Sequence, residues 1–175
     1  MPMKLVGPDG AVDVFTVSPR TLDTDAYWRN IEDVTRWSER YGCTGVLLFT
    51  GNDTYVEPWL VAQHVCATST LSPLVAVNPI YMHPFTTAKM IASLSYLYRR
   101  RICLNVVAGT ALSHQEALDD RLGHDARYER LSEHVQIVLQ LLRGQGLTSF
   151  EGTHYRVRGA RLPIPLPPAL YPDVF

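Results

Sequence analysis

The apolar positions of this 175-residue chain switch repeatedly between short β-type runs and helical stripes. Residues 12–17 are rich in β-branched and aromatic side chains and stop at Ser18-Pro19, which predicts a first strand. Residues 25–41 predict a helix: Ile31, Val34 and Trp37 share a face, Asp23 or Asp25 stands ready as a cap, and Gly42 supplies a stop. Residues 44–49 form a short, nearly continuous apolar run, as in a parallel strand buried on both faces. The alternation continues with a helix at 58–67, opened by Pro58, a strand at 74–77, a helix at 84–98 and a strand at 102–107. The longest helix is predicted at 125–143, where Tyr128, Leu131, Val135, Val138, Leu139 and Leu142 make one stripe and Gly144 closes it.

After that helix the rhythm breaks. Residues 148–157 read as a small hairpin with Glu151-Gly152 at its turn. Pro163, Pro165, Pro167, Pro168 and Pro172 then demand an extended strap, and residues 173–175 open a further strand. Strands alternating with helical crossovers imply an α/β protein with a parallel sheet. The pattern suits either an open doubly wound sheet or part of a (β/α)8 barrel. No Gly-x-Gly-x-x-Gly follows the first strand, which argues against a dinucleotide-binding fold.

Composition narrows the function classes. A net charge of -1, with Arg99-Arg100-Arg101 as the only basic run, gives no nucleic-acid footprint. Three widely spaced cysteines, Cys43, Cys66 and Cys103, suit reduced thiols and read as small buried hydrophobes. No apolar run approaches the roughly 20 residues that span a bilayer, and no signal core opens the chain. The expectation is a single domain over residues 1–175, cytoplasmic, without membrane or nucleic-acid partners. The six histidines lack metal-ligand spacing, and no Gly-x-Ser-x-Gly elbow is present, so neither a metal site nor a serine hydrolase is expected.

In parallel α/β folds, ligands gather at the C-terminal ends of the strands. That rule selects Ser18; Thr50, Gly51, Asn52 and Asp53; Asn78, Tyr81 and His83; and Asn105, Ala108, Gly109 and Thr110. Asn, Asp, Gly and Thr are also ordinary turn formers. Asn105 differs because it sits just inside a strand, where its amide needs a partner. His124 and Tyr128 share one face at a helix N-terminus, with Arg127 beside them, an arrangement that suits a phosphate monoester. The alternative is that His124 or Asp125 caps the helix and Tyr128 packs in the core. Tyr55, Tyr81, His83 and Trp59 are candidates for shaping a substrate pocket.

Five pieces together carry a resemblance: residues 42–51, residues 59–62, Asn105-Val106-Val107-Ala108-Gly109, Gly123-His124-Asp125-Ala126-Arg127-Tyr128-Glu129-Arg130, and residues 150–160 with the proline strap. In that order and spacing the chain resembles the luciferase-like, flavin-dependent monooxygenases, most closely their alkanesulfonate-monooxygenase branch, over residues 11–175. The resemblance implies the N-terminal half of a (β/α)8 TIM barrel: about four βα units, a hairpin insertion, and a strap leading into a fifth barrel strand. It implies reduced flavin mononucleotide (FMN) delivered by a separate reductase, O2, and a small organic substrate that receives one oxygen atom. By carry-over Thr50, Asn105, Ala108, His124 and Tyr128 contact the flavin; no catalytic acid or base is assigned. Ala108 replaces the family's usual threonine, and residues 52–57 lack the cysteine common in the sulfonate branch, which argues against a sulfonate. Half a barrel leaves sheet edges to cover. The expectations are therefore a truncated chain, a homo-oligomer, or a non-catalytic flavin-binding or assembly subunit.

Overall fold

The structure, a computed structural model, describes residues 12–20, 23–109 and 111–175. Strand β1 (Phe15–Val17), helix α1 (Thr24–Arg40), β2 (Gly45–Leu48), α2 (Pro58–Thr68), β3 (Ser72–Val77), α3 (Pro84–Tyr98) and β4 (Cys103–Val106) alternate in that order. The four strands make one parallel sheet in sequence order, with Val17, Leu47, Leu74 and Cys103 in register across it. The first strand is shorter than the pattern at 12–17 suggests. Its lead-in is held instead by the Thr44 hydroxyl, which accepts from the Val14 N–H at 3.1 Å. The third begins two residues earlier than expected, at Ser72, despite Pro73.

The first three helices start at a side-chain cap or a first-turn proline. Asp23 caps α1 by accepting from the Asp25 and Ala26 N–H groups. Pro58 and Pro84 occupy first-turn positions of α2 and α3, where a missing N–H costs nothing. A short helix not foreseen from the sequence, α4 (Leu112–Ala117), follows β4. Leu112 and its C-cap Leu118 face solvent, so no core-facing stripe betrays it. Helix α5 (His124–Arg143) ends at Gly144 in the left-handed conformation.

The two faces of the sheet differ, and this separates the two architectures. Val46, Leu48, Val75, Val77 and Leu104 point to one face and share a core with Ile31 of α1, Val61 and Val65 of α2, Ile91 of α3 and Ile137 and Leu141 of α5. The opposite face carries Val17, Leu47, Leu74, Ala76, Cys103 and Asn105, which stay outside that cluster. A doubly wound sheet has helices on both faces; a barrel has them on one. At the chain's end, Leu104 accepts from the Phe175 N–H at 2.8 Å, and a parallel bridge joins Leu104 to Val174. This is the start of a fifth barrel strand. In a flat sheet it would stand about 19 Å from β1, at about 4.8 Å per strand. Instead the Phe15 and Phe175 rings touch edge to face, with centroids 5.9 Å apart. The sheet is therefore curled as half of a (β/α)8 barrel, with its concave side inside.

The hairpin, β5 (Thr148–Glu151) and β6 (Arg156–Ala160), lies on α5. Its turn spans 152–155, and its second limb runs three residues beyond the expected end. Glu133 of α5 accepts from the N–H groups of Thr153, His154 and Tyr155 at 2.7, 2.9 and 2.9 Å. Burial works against its charged form, but those three donors hold the carboxyl below its usual range. A side chain at Gly152 would put its Cβ 2.5 Å from the Glu133 carboxylate, so only glycine allows this approach. The proline strap is extended apart from one 3-10 turn at Pro168–Leu170. Among the described residues no helix is long and apolar enough to cross a membrane.

Glu133→Ala removes a charged acceptor from three backbone donors. It is expected to destabilise the protein by about 2–3 kcal/mol, read from urea unfolding. Amide exchange should speed up first at 153–155; unchanged protection there would refute the assignment.

Candidate functional site

The C-terminal ends of the strands converge on one cleft of about 410 Å3. Ala76 and Asn105 form its floor on the concave face, and Phe49, Thr50, Asn78 and residues 107–109 form its walls. Its volume falls within the range of small-molecule and cofactor sites, about 300–1,000 Å3. The Asn105 amide is half-buried, and no group among the described residues hydrogen-bonds its side chain. A half-buried amide without a protein partner is a standing invitation to a ligand.

Hydrogen bonds between loops tie the rim together. The Tyr81 hydroxyl donates to Asn52 Oδ1 at 2.6 Å, and Asn52 Nδ2 donates to the His114 carbonyl at 3.3 Å. Gln115 Nε2 donates to the Gly109 carbonyl at 3.3 Å. Gly109 has φ +81, and a Cβ there would lie 2.9 Å from Asn78 Nδ2, so the loop after β4 passes directly over the loop after β3. Loops following β2, β3 and β4 are thus bound into one edge. Burial first, and then the charges of Asp53 and Glu57, raise the Tyr81 pKa and keep its hydroxyl a donor.

Thr50, Asn105, Ala108, Tyr128 and Tyr81 all line the cleft. His124 stacks against Tyr128 with ring centroids 4.9 Å apart, but it stands outside the lining, exposed, with Nδ1 2.9 Å from Asp125 Oδ1. Gly123, rather than His124 or Asp125, is the N-cap of α5, and Tyr128 is half-exposed rather than core. Two pocket candidates are elsewhere. His83 is the N-cap of α3, its Nδ1 accepting from the Phe85 N–H at 3.1 Å, and Tyr55 packs edge-on against Tyr27. Trp59 is buried in the core, and Thr110 lies outside the described residues.

The reading of the strand ends missed Arg20, Phe49, His114 and Gln115. Arg20 stands three residues past the expected strand end, and the other missed polar pair belongs to the unforeseen α4. Burial pushes the thiol of Cys66 up to about 12 and that of Cys103 up to about 11, so neither is a nucleophile near neutral pH. Among the described residues no three His, Cys, Asp or Glu side chains gather around a common point for a metal.

The family model for luciferase-like monooxygenases matches residues 10–174. This chain belongs to the luciferase-like monooxygenase family. It is 32% identical over 151 residues to the monooxygenase BtrO of Niallia circulans, named for a 4-(gamma-L-glutamylamino)butanoyl group on the BtrI acyl-carrier protein. That match covers 85% of this chain and 44% of BtrO. Riboflavin lyase RcaE, solved with a modified FMN and riboflavin, is 25% identical with a TM-score of 0.70, over 87% of this chain and 43% of that one. EDTA monooxygenase from Chelativorans sp. BNC1 superposes with a TM-score of 0.74 at 20% identity, over 93% of this chain and 48% of that one, a likeness of fold. The chain spans about half the length of these relatives.

This luciferase-like monooxygenase chain also holds a buried polar cluster, outside the cleft lining, that the sequence did not disclose. His134 of α5 is 1% exposed. Its Nε2 is 3.1 Å from Thr87 Oγ1 of α3, and its Nδ1 is 3.4 Å from the Tyr155 hydroxyl of the hairpin turn. Burial, then the nearby His83 and Arg130, push its pKa down to about 4, so the imidazole is neutral. Asp120 and Arg130 make a paired fork at 2.6 and 3.0 Å alongside, tying the loop before α5 to that helix.

In the unfolded chain an imidazole binds its proton near pH 6.5, whereas folded His134 does so only near pH 4. The unfolded state therefore holds the extra proton between these values, and stability falls as pH drops through that window. The expected loss is on the order of 2–3 kcal/mol, read from urea unfolding at successive pH values. His134→Gln should flatten that slope; an unchanged slope would show that another group titrates.

Proposed function

We propose that this chain forms one wall of the flavin site of a monooxygenase that takes reduced FMN and O2 and oxygenates a small organic substrate. The observation that carries this reading is the unpartnered Asn105 amide at the floor of a cleft of about 410 Å3, at the strand ends. The donor set fits a flavin: an amide, the Thr50 hydroxyl and the main chain at 107–109, with apolar Ala76, Val106 and Ala108 between them. Asn105 would hydrogen-bond the polar edge of the ring system, and Ala108, having no hydroxyl, leaves room for its face. Tyr128 would close the mouth, with His124 stacked behind it as a buttress rather than a direct contact.

When bound, reduced flavin supplies the oxygen-activating chemistry, and the protein supplies binding and orientation. Delivery of the flavin by a separate reductase, a single partial-barrel domain, a cytoplasmic location and assembly into a homo-oligomer belong to the same proposal. A second reading, a half-barrel that binds flavin without catalysis, is favoured by the concave face. Val17 there is 49% exposed and Leu47 half-exposed, so no described residue covers that part of the concave face. Turnover that requires O2 and an added flavin reductase separates the two readings.

Anaerobic titration with reduced FMN tests the site. Asn105→Leu should weaken binding by roughly tenfold, as for the loss of a buried hydrogen bond. Tyr128→Ala should weaken it less, and His124→Ala least. An affinity unmoved by Asn105→Leu would overturn the assignment.

A further inference from the structure

One cleft residue has a charge that the flavin reading leaves unused. Arg20 follows Pro19 directly after β1, and its guanidinium carbon lies 4.4 Å from the centroid of the Phe49 ring. Both side chains line the cleft. The ends of β1 and β2 are stitched together beneath them: the Ser18 N–H donates to the Leu47 carbonyl at 2.8 Å, and Ser18 Oγ accepts from the Phe49 N–H at 3.4 Å. The stack therefore has a fixed base. Among the described residues no carboxylate, hydroxyl or carbonyl takes the Arg20 N–H groups.

The charges around the cleft are arranged one-sidedly. Among the described residues no Asp or Glu lines it. Asp53 and Glu57 act on Tyr81, and Asp53 stands 3.9 Å from His114 Nε2. An arginine lying on an aromatic face keeps its in-plane N–H fork free, a geometry that matches a two-oxygen anion and that lysine cannot reproduce.

We propose that Arg20, stacked on Phe49, recognises an oxyanion of a ligand held in this cleft, either a carboxylate on the substrate or the phosphate of the flavin. This rests on the cleft being the flavin and substrate site. In the first case the favoured substrate class is anionic rather than a plain hydrocarbon. Phe49 gives the exposed guanidinium an aromatic face to lie on, which orients its N–H fork.

The test titrates the full chain and its Arg20→Gln and Arg20→Lys variants with FMN, with riboflavin and, after flavin saturation, with glutarate and the neutral 1,5-pentanediol. The arginine Nε–H resonance that disappears in Arg20→Gln reports contact at the site. Arg20→Gln is expected to weaken at least one anionic probe tenfold or more while leaving riboflavin and 1,5-pentanediol unchanged, with Arg20→Lys in between. A loss confined to glutarate assigns the substrate carboxylate. A loss for FMN but not riboflavin assigns the flavin phosphate. Equal binding of all probes by wild type and Arg20→Gln overturns the proposal. If wild type binds neither flavin yet binds glutarate in an Arg20-dependent manner, the flavin reading fails and this one stands.

Discussion

The curl of one parallel sheet is the constraint on which the rest of this molecule depends. Phe15 and Phe175, from the first strand and the beginning of the fifth, meet across the concave side. That contact requires the strands between them to turn through half a circle. Because all of them are parallel, the curl brings their C-terminal ends toward a common axis. Thr50, Asn78 and Ala108 then reach the same cleft although they come from three different strands. On a flat sheet the same loops would be strung along an edge, too far apart to surround one ligand.

The convex side of the curl has the conventional energetics of a folded domain. Large side chains such as Trp59, Ile91, Ile102 and Ile137 are fully buried there, and burial of each contributes on the order of 2 kcal/mol. The hairpin adds a second layer, docked not by apolar area alone but by the Glu133 carboxylate and the Thr87–His134–Tyr155 cluster. Helices α3 and α5 are thereby locked to each other behind the cleft. Rim loops bound to one another in front, and helices bound behind, leave the floor residue Asn105 little freedom to move, which is the condition for a preorganised site.

Most of the strand and helix order could be read from the sequence because each element has one apolar face and a recognisable start or stop. Val46 and Leu48 alternate with Leu47, and Asp23, Pro58, Pro84 and Gly144 punctuate as local chemistry requires. Periodicity could not decide between an open sheet and a barrel, since curvature is a property of pairs of strands and no single strand encodes it. Helix α4 was invisible because its leucines face solvent and it has no side-chain cap. At the site, the strand-end rule led to Thr50, Asn78, Asn105 and Ala108. It could not tell a side chain aimed into the cleft from one spent on local structure, so it also selected His83, whose ring nitrogen caps a helix. His134 was the reverse case: it sits on the apolar stripe of α5, where a lone polar residue reads as an interruption rather than as one end of a network.

The chemistry of the cleft follows from what its lining lacks. Among the described residues no carboxylate lines it, and the two buried cysteines are far too weakly acidic to be thiolates at neutral pH. The imidazole of His134 is neutral but is occupied between α3 and the hairpin, away from the ligand space. What remains are the amides of Asn78, Asn105 and Gln115, the Thr50 hydroxyl, the His114 imidazole, backbone groups, aromatic rings and one stacked guanidinium. Most of these groups bind, orient and neutralise charge rather than exchange protons near pH 7. A wall of this composition is suited to holding a bound molecule still and oriented.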